Sequence, residues 1–231
     1  MKTKKLLNLL LNIMGDSKDY FITGSLSFLS LCNYYRNPIE DIDICIKKDT
    51  YKLIKNKFLK IGKIEISKVS DVGIINKTKF AKLIAPISPM SGFLHIKTKY
   101  GILDVVLFNE HKKTIELMLG LGFTFSMSKS FKNRINILKF KNIFYHGGPP
   151  EMMFLSKAAG YFLEKDENNK NKKHYNDLKQ LEKIIDWKFT EEFLDSLRVK
   201  WLNKKLPDFI DKKINPYRKI DLKLLKQILT Q

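Results

Sequence analysis

The sequence predicts an α+β protein, with strands and helices mixed in an N-terminal part and a helical C-terminal part. Short apolar segments typical of strands alternate with segments of helical spacing as far as residue 145. Beyond the Gly- and Pro-rich stretch from His146 to Pro150, the apolar residues fall at helical spacing. A chain of 231 residues that is 44% hydrophobic is long enough to bury its own core. We therefore predict two domains, residues 1–148 and residues 149–231.

The predicted N-terminal domain begins with an amphipathic helix and continues as a succession of strands and helices. Gly24 and Ser25 form the turn between the first strand and the second helix, and Lys99 to Gly101 closes the clearest hairpin. The predicted helices cover residues 6–14, 26–35, 50–61 and 110–119, the predicted strands cover 20–23, 42–46, 63–69, 73–76, 93–98 and 102–108, and a second hairpin covers 135–145.

The predicted C-terminal domain consists of helices whose apolar residues recur every three or four positions. These helices cover residues 152–164, 175–185, 191–201 and 222–229, and a polar, basic loop over 166–173 separates the first two. We expect this helical half to pack over the active face of the mixed sheet.

The composition is strongly basic. Forty-three Lys and Arg residues against 24 Asp and Glu residues give a formal net charge of +19, which favours binding to polyanions such as RNA, DNA or nucleoside triphosphates. Lys-, Asn- and Ile-rich usage is also typical of AT-rich genomes, so charge alone does not decide between binding and solubility.

Several functional classes are excluded by motifs that the sequence lacks. The four histidines have neither H-x-x-x-H nor H-E-x-x-H spacing, which argues against a zinc hydrolase, and no G-x-x-x-x-G-K-S/T run forms a P-loop. Cys32 and Cys45 are the only cysteines, and their spacing fits neither a metal site nor a disulfide framework. No apolar run reaches the roughly 18 residues of a membrane span. We expect a cytoplasmic protein without a membrane partner.

Three aspartates are the candidate catalytic and metal-binding residues. Asp41 and Asp43 lie two apart on a predicted strand and therefore face the same side of the sheet. Asp104 lies on another predicted strand and meets them if the two strands are neighbours. Three carboxylates suit Mg²⁺ and can hold two ions roughly 3.5–4 Å apart, the arrangement that stabilises phosphoryl and nucleotidyl transfer.

Gly24 and Ser25 are candidate nucleotide-binding residues. They join a predicted strand to a predicted helix, so that the backbone N–H groups of the helix N-terminus can hold phosphate oxygens. A plain strand-to-helix turn has the same local sequence, and a D-x-D pair alone is common on solvated strands.

The order of these motifs resembles the nucleotidyltransferase superfamily of the DNA polymerase β fold, in which Gly-Ser on a turn precedes a helix and a D-x-D strand. The resemblance is closest to the AbiEii- and MenT-like toxin nucleotidyltransferases, in which an Arg precedes the acid pair and a helical half follows. Arg36 occupies the place of that Arg. The resemblance implies a mixed sheet with helices, two Mg²⁺ ions and a nucleoside triphosphate (NTP) as substrate.

The same resemblance assigns three residues of the helical half to nucleotide binding. Lys157 matches a family Lys that binds the triphosphate, and Lys173 and Asp177 match the later motif R-x-K-D-x-x-D-L. Without the resemblance, Lys157 could extend from an apolar helix to solvent, and Asp177 could simply begin a helix.

The sequence departs from the family pattern in two places. Asn171 and His174 replace the Arg and the first Asp of the later motif, and the Ser expected before the acid pair is absent, with Ile39 and Glu40 in that region. The roles of those positions in the family therefore do not transfer to this chain.

Three functions are compatible with these features. The resemblance and the net charge favour transfer of a nucleoside monophosphate to RNA, such as the acceptor end of tRNA, by a toxin with a possible antitoxin partner. The alternatives are transfer to a small molecule such as an antibiotic, and a non-catalytic nucleic-acid-binding protein of the same fold. The basic residues near Phe123, Phe125 and Phe131 suit base stacking, although alternating aromatics more often belong to a core.

Overall fold

The N-terminal elements follow the alternation of apolar and polar residues along the chain. The computed structural model describes residues 2–33, 39, 41–68, 89–120, 123–163 and 168–230. The elements before residue 148 are α1 (Lys2–Met14), β1 (Tyr20–Ile22), α2 (Gly24–Cys32), β2 (Asp41–Lys47), α3 (Lys48–Ile61), β3 (Gly62–Lys68), β4 (Pro89–Thr98), β5 (Gly101–Glu110), β6 (Thr114–Gly120), β7 (Phe123–Ser128), a 3₁₀ turn (Lys129–Arg134), β8 (Asn136–Phe140) and β9 (Ile143–Gly147).

The later elements are mainly helical, with a small hairpin among the helices. They are α4 (Pro150–Leu163), α5 (Asn168–Leu181), α6 (Trp187–Ser196), β10 (Arg198–Trp201), β11 (Lys204–Lys205), α7 (Asp208–Ile214), a 3₁₀ turn (Pro216–Lys219) and α8 (Leu222–Thr230). The prediction of an α+β fold is confirmed.

In the described segments the strands form one mixed sheet. Its order is β11-β10-β7-β6-β5-β2-β1-β9-β8, and β4 pairs with β5 and with β3. The pairs β2–β5 and β1–β9 are parallel, and the other pairs are antiparallel. The hairpin β10–β11 extends the sheet beyond β7, so that the C-terminal part contributes strands as well as helices.

The sheet separates two hydrophobic cores, because successive side chains on a strand point to opposite faces. The first core contains Ile42, Ile44 and Ile46 of β2 with apolar residues of α1 and α3. The second core contains Cys45 of β2 and Phe108 of β5 with apolar residues of α4, α5, α6 and α8. The helical half therefore packs on the sheet face that carries the odd-numbered residues of β2.

One element of the N-terminal half differs from its prediction. The helix predicted over 110–119 is wrong, because residues 114–120 form β6 between β5 and β7. The Glu-Leu-Met-Leu run favours a helix locally, and pairing on both sides overrides that preference.

Phe125 and Phe131 are buried in the second core, as expected of alternating aromatics. The strand predicted over 73–76 lies outside the described residues.

The C-terminal predictions also need correction. Residues 168–173, predicted as loop, belong to α5, and the helix predicted over 191–201 ends at Ser196, because the next residues pair with β7 as β10. The predicted linker is short, since His146 and Gly147 complete β9 and α4 begins at Pro150. The second core contains residues from both sides of the boundary predicted at residue 148, and that boundary remains a prediction. In the described segments no helix combines the length and apolar character needed to cross a bilayer.

A buried carboxylate joins the C-terminal hairpin to the helices around it. Asp211 of α7 accepts hydrogen bonds from the Val199 amide at 2.9 Å, from Nδ2 of Asn215 at 3.2 Å and from Nε of Arg218 at 2.9 Å. Its side chain is only 2% exposed and that of Arg218 is 22% exposed. Removal of the carboxylate would therefore leave several buried donors and a partly buried cation without their acceptor.

We expect Asp211→Ala to lower the free energy of unfolding by about 3–5 kcal/mol, because it breaks a buried, hydrogen-bonded ion pair. Asp208→Ala on the same helix is the matched control. Asp208 is 75% exposed and lies 3.5 Å from Lys205, so its loss should cost less than about 1 kcal/mol. Urea unfolding of the two variants measures the difference, and equal costs would contradict a structural role for the buried network.

Candidate active site

The three candidate aspartates lie on two neighbouring strands. β2 and β5 pair in parallel, with Asp43 opposite Asp104 and Asp41 opposite Ile102. Residues that pair across strands share a face, and so do residues two apart on one strand. The structure therefore brings Asp41, Asp43 and Asp104 to one face of the sheet, the face of the second core.

Gly24 lies directly against the carboxylate of Asp43. The Thr23 amide donates to the Asp43 carbonyl at 2.8 Å, which holds the start of α2 beside β2. Gly24 has a φ of +65°, and a Cβ atom at this position would lie 1.8 Å from Oδ2 of Asp43. Only glycine combines that backbone conformation with so close an approach.

Ser25, the other residue of the predicted turn, is exposed in the first turn of α2. The first N–H groups of a helix have no partner within the helix, and they carry the positive end of its dipole. The start of α2 therefore places amide donors next to the carboxylates, where they can hold phosphate oxygens.

Burial and the charges of the neighbouring aspartates oppose ionisation of the Asp43 carboxyl. Burial, followed by the charges of Asp41 and Asp104, raises the pKa of the Asp43 carboxyl to about 7, and Lys157 acts in the opposite direction. Like charges on one face disfavour ionisation of this group. A divalent cation between the carboxylates would relieve that repulsion.

The chemistry of the donor set fits Mg²⁺, which prefers carboxylate oxygens. In the described part of the chain, no three His, Cys, Asp or Glu side chains lie close enough together to hold a metal ion as they stand. Asp104 is hydrogen-bonded to His95, so a metal ion would share its carboxylate with that contact. The residues that would hold the metal are Asp41, Asp43 and Asp104.

Lys157 lies in α4 and extends toward the acid cluster. Its Nζ is 3.0 Å from Oδ2 of Asp177 in α5, a carboxylate whose side chain is fully buried. Lys157 is 22% exposed and close enough to lower the pKa of Asp43. The structure thus places a partly buried cation, held by Asp177, on the acid side of the sheet.

The remaining two candidates are Lys173 and Arg36. Lys173 is exposed on α5, one helical turn before Asp177, so that the two share a helix face. Arg36 lies outside the described residues.

Sequence reasoning overlooked His95. It pairs with Asp104 across β4 and β5, and its Nδ1 is hydrogen-bonded to Oδ1 of Asp104. The predicted hairpin gave no direct signal, because a turn of Lys99, Tyr100 and Gly101 pairs residue 95 with residue 105. The observed two-residue turn pairs Thr98 with Gly101 and therefore residue 95 with residue 104.

Solved structures with a similar fold include an antibiotic adenylyltransferase. The lincosamide antibiotic adenylyltransferase LnuA, bound to lincomycin, has a TM-score of 0.51 at 18% identity, covering 80% of this chain and 96% of its own. The enzyme ANT(2″)-Ia in complex with adenylyl-2″-tobramycin has a TM-score of 0.52 at 8% identity, covering 83% and 94%. At such identities the similarity shows a shared fold. No family model matches the sequence, and no curated protein sequence matches it.

Gly24→Ala should disrupt the acid cluster in addition to straining the backbone. Gly15 provides the control, because its φ is +56° and nothing lies within 4 Å of an added Cβ. Gly15→Ala should cost about 1–2 kcal/mol of stability from the left-handed conformation alone. Gly24→Ala should cost more and should also weaken Mn²⁺ binding, measured by urea unfolding and by electron paramagnetic resonance (EPR). Unchanged Mn²⁺ binding in Gly24→Ala would contradict the proposed contact.

The raised pKa of Asp43 predicts a specific pH dependence in the metal-free protein. The ordinary value is 3.8 and the folded value is about 7, so the folded state binds the extra proton between these limits. The free energy of unfolding should therefore fall as pH rises from about 4 to about 7. Asp43→Asn carries no titrating group and should lose this fall.

Urea unfolding at pH 5 and pH 8 with a chelator tests this dependence. Asp195→Asn, on the exposed side of α6, leaves Asp43 intact and should retain the wild-type dependence. An identical dependence in Asp43→Asn and wild type would show that another group is responsible.

Proposed function

We propose that the protein is a cytoplasmic, Mg²⁺-dependent nucleotidyltransferase that moves a nucleoside monophosphate from an NTP to a hydroxyl group of a small-molecule acceptor. The observation that carries this proposal is the pairing of Asp43 with Asp104 across the parallel strands β2 and β5, with Asp41 on the same face and Gly24 against Asp43. Such a face can hold metal ions next to a helix N-terminus that binds phosphate.

Two sets of described residues would bind the triphosphate. The amides at the start of α2 contact phosphate oxygens, and Lys157, held by Asp177, supplies positive charge from the helical half. Lys173 and Arg36 are further candidates for this role. The bound Mg²⁺ ions would neutralise the charge that develops on the phosphates and lower the pKa of a coordinated oxygen.

The proposed reaction forms one bond and breaks one bond. The acceptor oxygen bonds to the α-phosphorus, the bond from that phosphorus to the bridging oxygen of the β-phosphate breaks, and pyrophosphate leaves. Asp104 accepts the proton of the acceptor hydroxyl, because its strand lies beyond β2 on the side away from α2. Asp41 and Asp43 remain beside the phosphates.

A small-molecule acceptor is supported by the enzymes that share the fold. LnuA is bound to an antibiotic, and ANT(2″)-Ia is bound to an antibiotic that carries an adenylyl group. Both align along at least 94% of their own length, so the similarity extends over whole enzymes rather than over a common fragment.

RNA is the second candidate acceptor, because the net charge is +19 and the C-terminal hairpin carries an exposed aromatic. Trp201 is 48% exposed and pairs with Lys204, and Lys205 follows. Aromatic and cationic side chains together suit single-stranded RNA. This candidate agrees with the resemblance to AbiEii- and MenT-like toxins, under which an antitoxin would be a further partner.

Incubation with Mg²⁺ and labelled NTPs should transfer label to a small hydroxylated acceptor, tested on lincosamide and aminoglycoside antibiotics and on total tRNA in parallel. Asp43→Asn should lower the rate at least about a hundredfold, because it removes charge stabilisation at the reacting phosphate. Mass spectrometry of the product identifies the acceptor.

Asp195→Asn is the control for this assay, because it makes the same substitution at an exposed carboxylate of α6 that is not one of the three on β2 and β5. Label in tRNA alone would replace the small-molecule acceptor with RNA and preserve the enzyme class. Transfer that survives Asp43→Asn unchanged, or its absence from every acceptor, would contradict the proposed function.

A further inference from the structure

A row of ionisable side chains crosses four strands of the sheet. Glu65 of β3 pairs with His95 of β4, His95 pairs with Asp104 of β5, and Asp104 pairs with Asp43 of β2. Paired residues share a face, so the four side chains lie on the same side of the sheet. His95 is the one member of the row that can donate a hydrogen bond while the carboxylates are ionised.

The two carboxylates beside His95 have different partners. Glu65 is bound by lysines, with Nζ of Lys63 at 3.1 Å and Nζ of Lys97 at 2.8 Å, and these contacts lower its pKa. Oδ1 of Asp104 is instead hydrogen-bonded to Nδ1 of His95. A carboxylate that binds a metal ion is ionised and has no proton to give, so Nδ1 is then the donor in this pair.

The contact with His95 restrains the orientation of the Asp104 carboxylate. His95 and Asp104 are 27% and 29% exposed, so neither is locked by close packing alone. A carboxylate that contacts a metal ion or an acceptor hydroxyl must be held in one orientation. A hydrogen bond from an imidazole on its other side can fix that orientation.

We propose that His95 is a positioning residue for Asp104, fixing through Nδ1 the carboxylate orientation with which Asp104 contacts the metal and the acceptor. The proposal rests on the proposed function for its meaning in the reaction. The contact itself is a feature of the paired strands β4 and β5. The position of the donor nitrogen in the side chain makes the proposal testable by substitution. Asn places an amide nitrogen where His has Nδ1, whereas Gln places it nearer the position of Nε2.

The test compares His95→Asn with His95→Gln and His95→Leu. The direct readout is the dissociation constant of Mn²⁺, measured by EPR without any nucleotide. His95→Gln and His95→Leu should weaken Mn²⁺ binding by about 10–100-fold, the usual cost of losing a partner behind a metal ligand. His95→Asn should remain within about threefold of wild type, because it retains the donor.

The second readout is the steady-state kinetics of nucleotide transfer. His95→Gln and His95→Leu should lower kcat by about 10–100-fold with KM for the NTP little changed, since the phosphate-binding groups are untouched. His95→Asn should keep kcat close to the wild-type value, because it retains the donor. A residue needed only for folding would instead lower the unfolding temperature in all three variants, with no separation between Asn and Gln.

Glu65→Gln is the matched control, because it changes charge in the same row without touching Asp104, and it should leave Mn²⁺ binding near that of wild type. The Asn-versus-Gln separation in Mn²⁺ affinity decides the inference. If it is present while no acceptor is labelled, the positioning role stands and the proposed function fails. If it is absent, or if the wild type binds no Mn²⁺, the inference is overturned whether or not transfer occurs.

Discussion

The parallel pairing of β2 with β5 is the constraint on which the candidate site depends. It places Asp43 opposite Asp104 and sends the isoleucines of β2 and the apolar residues Leu103, Val105 and Leu107 of β5 into the first core. A slip of one residue would turn Asp104 into that core and an apolar side chain toward the face of Asp41 and Asp43. The hydrophobic pattern that stabilises the sheet therefore also fixes the register of the acids.

The same strand pairing brings three carboxylates to one face of the sheet, an arrangement that lowers the stability of the fold. Burial, followed by the charges of Asp41 and Asp104, raises the pKa of Asp43. Within the described residues, the first turn of α2 and Lys157 supply compensating positive charge, and both are features that a triphosphate would use. Strain of this kind is typical of functional sites, where stability is given up for a geometry that a ligand completes.

The parts of the fold that follow from local pattern could be predicted from the sequence. The D-x-D strand, the hairpin β4–β5 and the turn at Gly24 depend on neighbours close in the chain. β10 does not, because it pairs with β7, about 70 residues earlier in the chain, and local propensity cannot represent such a contact. β6 pairs with β5 and β7, its neighbours in the chain, but its Glu-Leu-Met-Leu run favours a helix locally. The predicted three-residue turn places residue 95 opposite residue 105, so the contact of His95 with Asp104 follows only from the observed register.

The second core packs the helical half against the strands that carry the candidate site, so that both halves contribute residues to it. Phe21 of β1 and Phe108 of β5 lie in this core with Phe154 and Ala158 of α4. Lys157 directly precedes Ala158 and follows Phe154 by three residues, so packing of α4 onto the sheet also positions Lys157 relative to Asp43. Asp177 then fixes the ammonium group from α5. The acids belong to the sheet and the cation belongs to the helices, and one apolar interface determines how they face each other.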